Sequence, residues 1–409
     1  MKLTESLMIE LPQLETEQIL KQINQIITKT SARNSGLFSG SIGRIVYYFY
    51  LANFYRDESI ADRGVSLLEE VLSQIQTGTY AYPKTYSLSG GLAGLGMALT
   101  ILKEEDILEI DFEDNLRFFD QQISPQALEE LHAGNTDYLH GAIGSLHYLT
   151  MRHPYHSELA QVITAMIDVL HTLAVKKGEG ICFPNRFIEQ NNNTLNTNLG
   201  MAHGQCGIIM TLLKVYQRGI AQSVIRSIVT QTIQYMLDLQ IQPDIESGRV
   251  SHFPLTFDTT QAASFQTKEY SSRLGWCYGD LNQCLTLYHA GSILNRPDWI
   301  EIADRVGFST VARRNRLHTL ITDANFCHGA IGVAQTYRRL FEMTQQDLYL
   351  EAYQYWIDQT LLFTRTVVDE SDYLPYAGEF LGGGIGVSLG LMSALGRDEL
   401  NWDRIFLLC

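Results

Sequence analysis

Two cysteines and two histidines stand where their side chains can act together. Cys277 lies in Trp276-Cys-Tyr-Gly279, Cys327 and His328 in Phe326-Cys-His-Gly329, and His203 in Met201-Ala-His-Gly204. A single cysteine ahead of a helix is ordinarily a small buried hydrophobe. Here the same register occurs twice, each cysteine two residues before a glycine, and that argues for shared use. Two thiols and an imidazole are a good donor set for zinc. Cys277, Cys327 and His328 are the predicted ligands, with the adjacent Cys-His pair reaching one ion from a non-helical turn. Three protein ligands leave a fourth tetrahedral position open, the mark of a catalytic site. Two thiolates neutralise the ion and make it a mild Lewis acid, which suits a soft anion that must stay nucleophilic. A thiol is such a substrate. With a pKa near 8.5 only about 3% of it is ionised at pH 7, so full ionisation gains roughly 30-fold.

Three further residues are candidates to complete the site. His203 is placed to face the same end as an acid/base group. Asp137, four residues before Gly141, is placed to orient that imidazole. Arg273, four before Cys277, is a candidate for a developing oxyanion. Each also has a plainer reading: Asp137 as a helix cap, Arg273 as a surface charge, His203 as a buried hydrogen-bond donor. Cys284 is seven residues beyond Cys277, about 10 Å along a helix, too far to share an ion. Cys206, Cys182 and Cys409 are given no role.

The elements that must position these groups repeat. A glycine, two residues, and a second glycine or small or polar residue precede an apolar run at Gly40, Gly91, Gly141, Gly204, Gly279, Gly329 and Gly383, spaced 51, 50, 63, 75, 50 and 54 residues apart. The runs after the glycines, such as Ile42–Leu51 and Leu92–Leu102, are apolar nearly all round and read as buried helices. Stretches between them, such as Ile60–Leu72 and the one from Ile300, are apolar at three- and four-residue steps and read as surface helices. Glycine at a buried helix's entrance permits close backbone approach. Seven such hairpins form either an open solenoid or a closed ring. Inner helices this apolar cannot line a solvated concave face, which favours closure. The predicted fold is all-α, an α/α toroid of seven inner and seven outer helices. It is read as one domain over residues 1–409 with loop or small β-containing insertions at roughly 180–200 and 242–270.

Composition bounds the partners. The chain has 409 residues, 45% of them hydrophobic, enough for a large core, and 30 basic against 45 acidic side chains give a net charge of −15. No basic cluster reverses that sign, which argues against nucleic acid. The first residues have no signal-peptide core, and no apolar stretch is long enough to span a bilayer. Six cysteines are too few for a disulfide scaffold. These features predict a reduced, cytoplasmic protein that is not integral to a membrane.

The motifs Trp276-Cys-Tyr-Gly279, Cys327-His-Gly329 and Ala202-His-Gly204 together resemble those of the lanthionine synthetase C-like proteins, above all the stand-alone cyclases of class I lanthipeptide biosynthesis. The resemblance spans the whole chain, and the length suits a free-standing cyclase. It implies a double helical ring and a Michael-type addition. In that reaction a cysteine thiol of a dehydrated precursor peptide joins the β-carbon of dehydroalanine or dehydrobutyrine, giving lanthionine or methyllanthionine. It places zinc on Cys277, Cys327 and His328, the acid/base role on His203, that histidine's carboxylate partner on Asp137, and an enolate-contacting cation on Arg273. Protonation of the enolate is the favoured role for His203, because zinc already ionises the thiol. The expected partner is the precursor peptide, leader and core. A dehydratase and an exporter are candidate partners, and the membrane periphery is a candidate location. One departure stands out: Leu281 and Asn282 occupy positions where the family commonly has Pro and Gly, so the turn into the fifth inner helix is expected to differ. Two alternatives keep the metal: a LanC-like enzyme adding glutathione to dehydrated residues, and a non-catalytic, zinc-stabilised helical binding protein.

Overall fold

The computed structural model describes residues 12–80, 86–185, 196–258, 268–367, 377–396 and 400–409. Its helices are α1 (Gln13–Lys29), α2 (Ser41–Tyr55), α3 (Glu58–Gln76), α4 (Leu92–Glu104), α5 (Glu113–His132), α6 (Ala142–Arg152), α7 (Leu159–Leu173), α8 (Gln205–Gln217), α9 (Gln222–Asp238), α10 (Asp280–Leu294), α11 (Pro297–Val311), α12 (Arg316–Thr319), α13 (Ala330–Thr344), α14 (Asp347–Val367) and α15 (Gly384–Leu395), followed by a 3-10 turn at Trp402–Phe406. Five short strands complete the order: β1 (Val175–Lys177), β2 (Gly180–Cys182), β3 (Asn196–Asn198), β4 (Thr256–Asp258) and β5 (Lys268–Glu269).

Seven helices, α2, α4, α6, α8, α10, α13 and α15, begin directly after the seven repeat glycines, and most of their residues are buried. Their neighbours bury a single stripe. In α3 the buried set is Gly64, Leu68 and Val71; in α7 it is Leu159, Ile163, Met166, Ile167 and Leu170. Each such side chain removed from water contributes about 1.5–3 kcal/mol. The helix α3 starts where Asp57 accepts the Ser59 backbone N–H at 2.9 Å, an ordinary N-cap.

A geometric rule underlies the repeat. A methyl group placed on the second glycine of the pair would collide with the backbone carbonyl six residues earlier: Leu37 for Gly43, Tyr138 for Gly144, Met201 for Gly207, Phe326 for Gly332 and Phe380 for Gly386. The helix is seated on its own preceding loop. An Asn or Asp six residues before the first glycine shapes that loop as an Asx turn. Asn34 accepts from Gly36 N–H (2.7 Å), Asn198 from Gly200 N–H (2.7 Å) and Asp323 from Asn325 N–H (2.9 Å).

The chain forms two compact units. In the first (Met1–Lys84, Ser89–Asp111, Ile321–Cys409) α13 packs on α15, α15 on α2 and α2 on α4. There α1 lies against α14 and α15, so the amino-terminal helix covers the last buried helix. Phe38, Phe326, Phe380, Trp402 and Phe406 form an aromatic cluster, with Phe326 and Phe406 ring centroids 4.3 Å apart.

In the second unit (Thr85–Leu88, Phe112–Leu320) α6 packs on α8 and α8 on α10. Both predicted insertion regions contribute strands here. β1 and β2 form a hairpin, and β3, β4 and β5 form an antiparallel sheet in which Thr197 pairs with Phe257, and Phe257 with Lys268. Residues 186–195 and 259–267 of those regions lie outside the described residues. Among the described residues no helix is long and apolar enough to cross a membrane.

Candidate metal centre and acid–base pair

The acid–base pair is assembled by turns of the second unit. Leu199 N–H bonds to the Leu255 carbonyl at 3.2 Å, so the chain leaving β3 enters the His203 turn already held by the β4 segment. Gln205, the first residue of α8, accepts from Phe183 N–H (3.0 Å) and donates to the Phe183 carbonyl (2.8 Å). That pins the loop after β2 and brings in Asn185. The amide of Asn185 donates to Asp137 Oδ2 (2.8 Å) and to the His203 carbonyl (2.6 Å). Asp137 Oδ2 also takes His203 Nδ1 at 2.6 Å, while Oδ1 accepts from His140 N–H at 2.8 Å. Asp137 is fully buried and the His203 side chain is 19% exposed.

Asp137 is thus not the cap of α6, whose N-cap is Gly141 with no side-chain cap; it accepts from the turn ahead of that helix and also binds His203. Burial favours the neutral forms of both groups. The mutual hydrogen bond and charge overcome it, holding Asp137 below the usual carboxylate range and lifting His203 above the usual imidazole value, with the charge of Cys277 adding to the second effect. The bond at Nδ1 to the carboxylate sets the tautomer and leaves Nε2 as the ring nitrogen that Asp137 does not engage.

The His203 turn is joined to the Cys277 turn. Met201 N–H donates to the Cys277 carbonyl at 3.1 Å. Asn282 bridges both: its Oδ1 accepts from Met201 N–H (2.9 Å) and its Nδ2 donates to the Gly275 carbonyl (3.0 Å). The departure at Asn282 is therefore a cross-tie. Gly279 has φ +115°, a conformation open to glycine, whereas the other helix-opening glycines of this chain are extended.

Cys327 is held by its N–H to the Leu381 carbonyl (2.9 Å), and His328 by its N–H to Asn325 Oδ1 (3.1 Å). Cys277, Cys327 and His328 form a group whose ligand atoms all lie within 4.8 Å of one another. Donors around a tetrahedral zinc stand about 3.3–3.8 Å apart, so the cluster offers the donor chemistry the ion requires within a span of 4.8 Å, which binding would draw in by up to about 1 Å. Arg273 is half-buried, its backbone N–H bonded to Ser271 Oγ (3.2 Å), and its guanidinium makes no hydrogen bond or ion pair with another described residue. Cys284 donates to the Ala303 carbonyl from a buried position, and burial pushes the Cys206 thiol up to about 12, so both are inert packing groups.

Two site residues escaped the sequence reading. Asn185 carries no local signal, since it arrives by loop packing. His140 carries one: it stands immediately before Gly141, as His203 stands before Gly204.

The glycine-seated helices and the Cys/Cys/His cluster define a class, the α/α toroids with a thiol-rich metal-binding set. Residues 31–407 match the family described as lanthionine synthetase C-like protein, and the chain belongs to that family. Its structure is similar to that of nisin cyclase, with a TM-score of 0.75 and 17% identity over 97% of each chain. The fold is therefore the all-α toroid expected. A second similarity, to an unsaturated glucuronyl hydrolase from Streptococcus agalactiae, has a TM-score of 0.46 at 10% identity over 96% of this chain and 94% of that one, too slight to carry an argument. No curated protein sequence matches the chain.

Proposed function

We propose that this chain is a zinc-dependent lanthipeptide cyclase. It closes (methyl)lanthionine rings by joining a peptide cysteine thiol to the β-carbon of dehydroalanine or dehydrobutyrine in a dehydrated precursor. The observation that carries the reading is the Cys277, Cys327 and His328 cluster together with an Asp137–His203 pair hydrogen-bonded into the Cys277 turn. Family membership and the likeness to nisin cyclase support it. Residues 1–409 are read as one cyclase domain.

Cys277, Cys327 and His328 would hold zinc, which when bound supplies the positive charge that keeps an incoming thiol ionised near neutral pH. The rest is the work of the protein's own groups. As the sulfur–carbon bond forms, the double-bond electrons move to the neighbouring carbonyl and leave an enolate. His203 donates a proton from Nε2 to its α-carbon, matching the proton lost by the thiol. Asp137 steadies the resulting charge balance and holds the tautomer, and Asn185 keeps Asp137 and the His203 backbone in register. Arg273, whose guanidinium no other described residue engages, faces the enolate oxygen in this reading. A reducing, cytoplasmic setting belongs to the same reading, since thiol substrates and thiolate ligands must stay reduced. A dehydratase and an exporter are the proposed partners beyond the peptide.

The test is to incubate zinc-loaded protein with a dehydrated precursor peptide and count free thiols by alkylation. Loss of peptide thiols without change of mass is expected. It should disappear in Cys277→Ala, which also loses zinc, and slow by about 100-fold or more in His203→Ala, which keeps it. Undiminished alkylation alongside addition of glutathione to the peptide would replace this reading with the glutathione-transfer one.

A further inference from the structure

Four successive repeats carry a ring immediately before the helix-opening glycine: His140, His203, Tyr278 and His328. The other three carry Ser39, Gly90 and Gly382. His203 and His328 have roles in the reading above, and His140 has none. Yet the His140 and His203 rings are stacked, with centroids 5.9 Å apart and planes 17° from parallel. The carboxylate that binds His203 Nδ1 through Oδ2 also caps the turn presenting His140, through Oδ1. One buried group therefore sets the position of both rings.

A hydrogen bond at Nδ1 fixes one nitrogen but leaves the imidazole able to rock about that bond. A near-parallel, offset neighbour at 5.9 Å restricts this freedom. Protonating a planar enolate carbon requires Nε2 to be aimed along one direction, and misplacement of a reacting group by 1 Å can cost 100-fold. We propose that His140 is a positioning residue: its ring, stacked on His203, holds the plane in which Nε2 is presented to the substrate. This rests on His203 being the proton donor of the proposed cyclase.

The experiment compares His140→Ala, His140→Phe and His203→Ala in the full chain loaded with zinc. His140→Ala is expected to lower kcat about tenfold while KM and zinc content stay at the parental values. His140→Phe, which keeps a flat face but no nitrogen, is expected to restore kcat to within about threefold. In 15N-histidine NMR, the His203 Nδ1–H signal is expected to be sharp in the parent and in His140→Phe, and broadened or faster-exchanging in His140→Ala. A His140→Ala protein with parental kcat, or with an unchanged His203 signal, overturns the proposal. So does a His140→Phe protein as slow as His140→Ala, because a nitrogen and not the ring face would then be at work. If His203→Ala closes rings at the parental rate, the proton-donor reading has failed, and the NMR signal still decides the stacking on its own.

Discussion

The Asp137–His203 pair shows how a buried carboxylate sets the working range of its neighbour. Burial pushes His203 toward neutrality, and the hydrogen bond and charge of Asp137 reverse that. A proton donor works while it is protonated, so activity should fall as pH rises through the elevated His203 value. Asp137→Asn keeps a hydrogen-bond partner but removes the charge, leaving burial unopposed. The alkaline limb of a kcat–pH profile should then move to lower pH, with about a 100-fold loss of rate on the alkaline side. An unmoved limb would mean that another group titrates there. At this scale the grouping of Cys277, Cys327 and His328 and the pairing of His203 with Asp137 were legible because each of these residues sits at a set distance from a repeat glycine. Asn185 was not, because it reaches Asp137 through a loop pinned by Gln205 and follows no register.

Helix entrances convert sequence register into geometry. In five of the seven repeats the second glycine is small because the carbonyl six residues back occupies the place of a side chain. The hydrophobic pattern gave the buried and surface helices directly, since α2 and α4 are apolar all round and α3 and α11 are striped. The Asx turns ahead of the glycines are just as local, each closing two residues along the chain, but Asn34, Asn198 and Asp323 read as ordinary loop polar groups. The fifth repeat breaks the pattern with Asn282, whose amide ties the Met201 and Gly275 backbones. Asn282→Ala deprives the buried Gly275 carbonyl of its donor and loosens the turn that carries Cys277. The expected cost is about 2 kcal/mol in stability and roughly tenfold in zinc affinity, read by urea denaturation and by competition with a chelator. Equal affinity in the variant would show that the Cys277 turn is held by the neighbouring backbone bonds alone.

For the whole chain, the seven-fold repeat and the burial it produces were readable in advance, while the β3-β4-β5 sheet was not, because strands of two or three residues show no pattern and β3 is far from β4 in sequence. Global stability has a pH dependence of its own. Burial raises the Glu105 carboxyl to about 7 from 4.5, although Tyr50 Oη (2.9 Å), Asn401 N–H (3.1 Å) and Arg404 oppose it. The folded chain then holds a proton that the unfolded chain has released, so stability falls as pH rises from about 4.5 to about 7. Allowing for solvent screening, that loss is on the order of 2 kcal/mol. Glu105→Gln keeps an acceptor for Tyr50 and should flatten the fall when unfolding free energies are compared at pH 5 and pH 8; a fall as steep as the parent's would assign it elsewhere.

The six-residue reach between a loop carbonyl and its glycine also says where this protein can change length. Within each such window, gaining or losing a single residue would shift the carbonyl off its seat and unseat the helix behind it. Ahead of the window nothing imposes a count. The long interval before Gly204 has grown there, leaving the seat of Gly207 on the Met201 carbonyl intact. Grafted segments or tags should be tolerated at those upstream positions and rejected a few residues later, a boundary sharp enough to guide the remodelling of this scaffold.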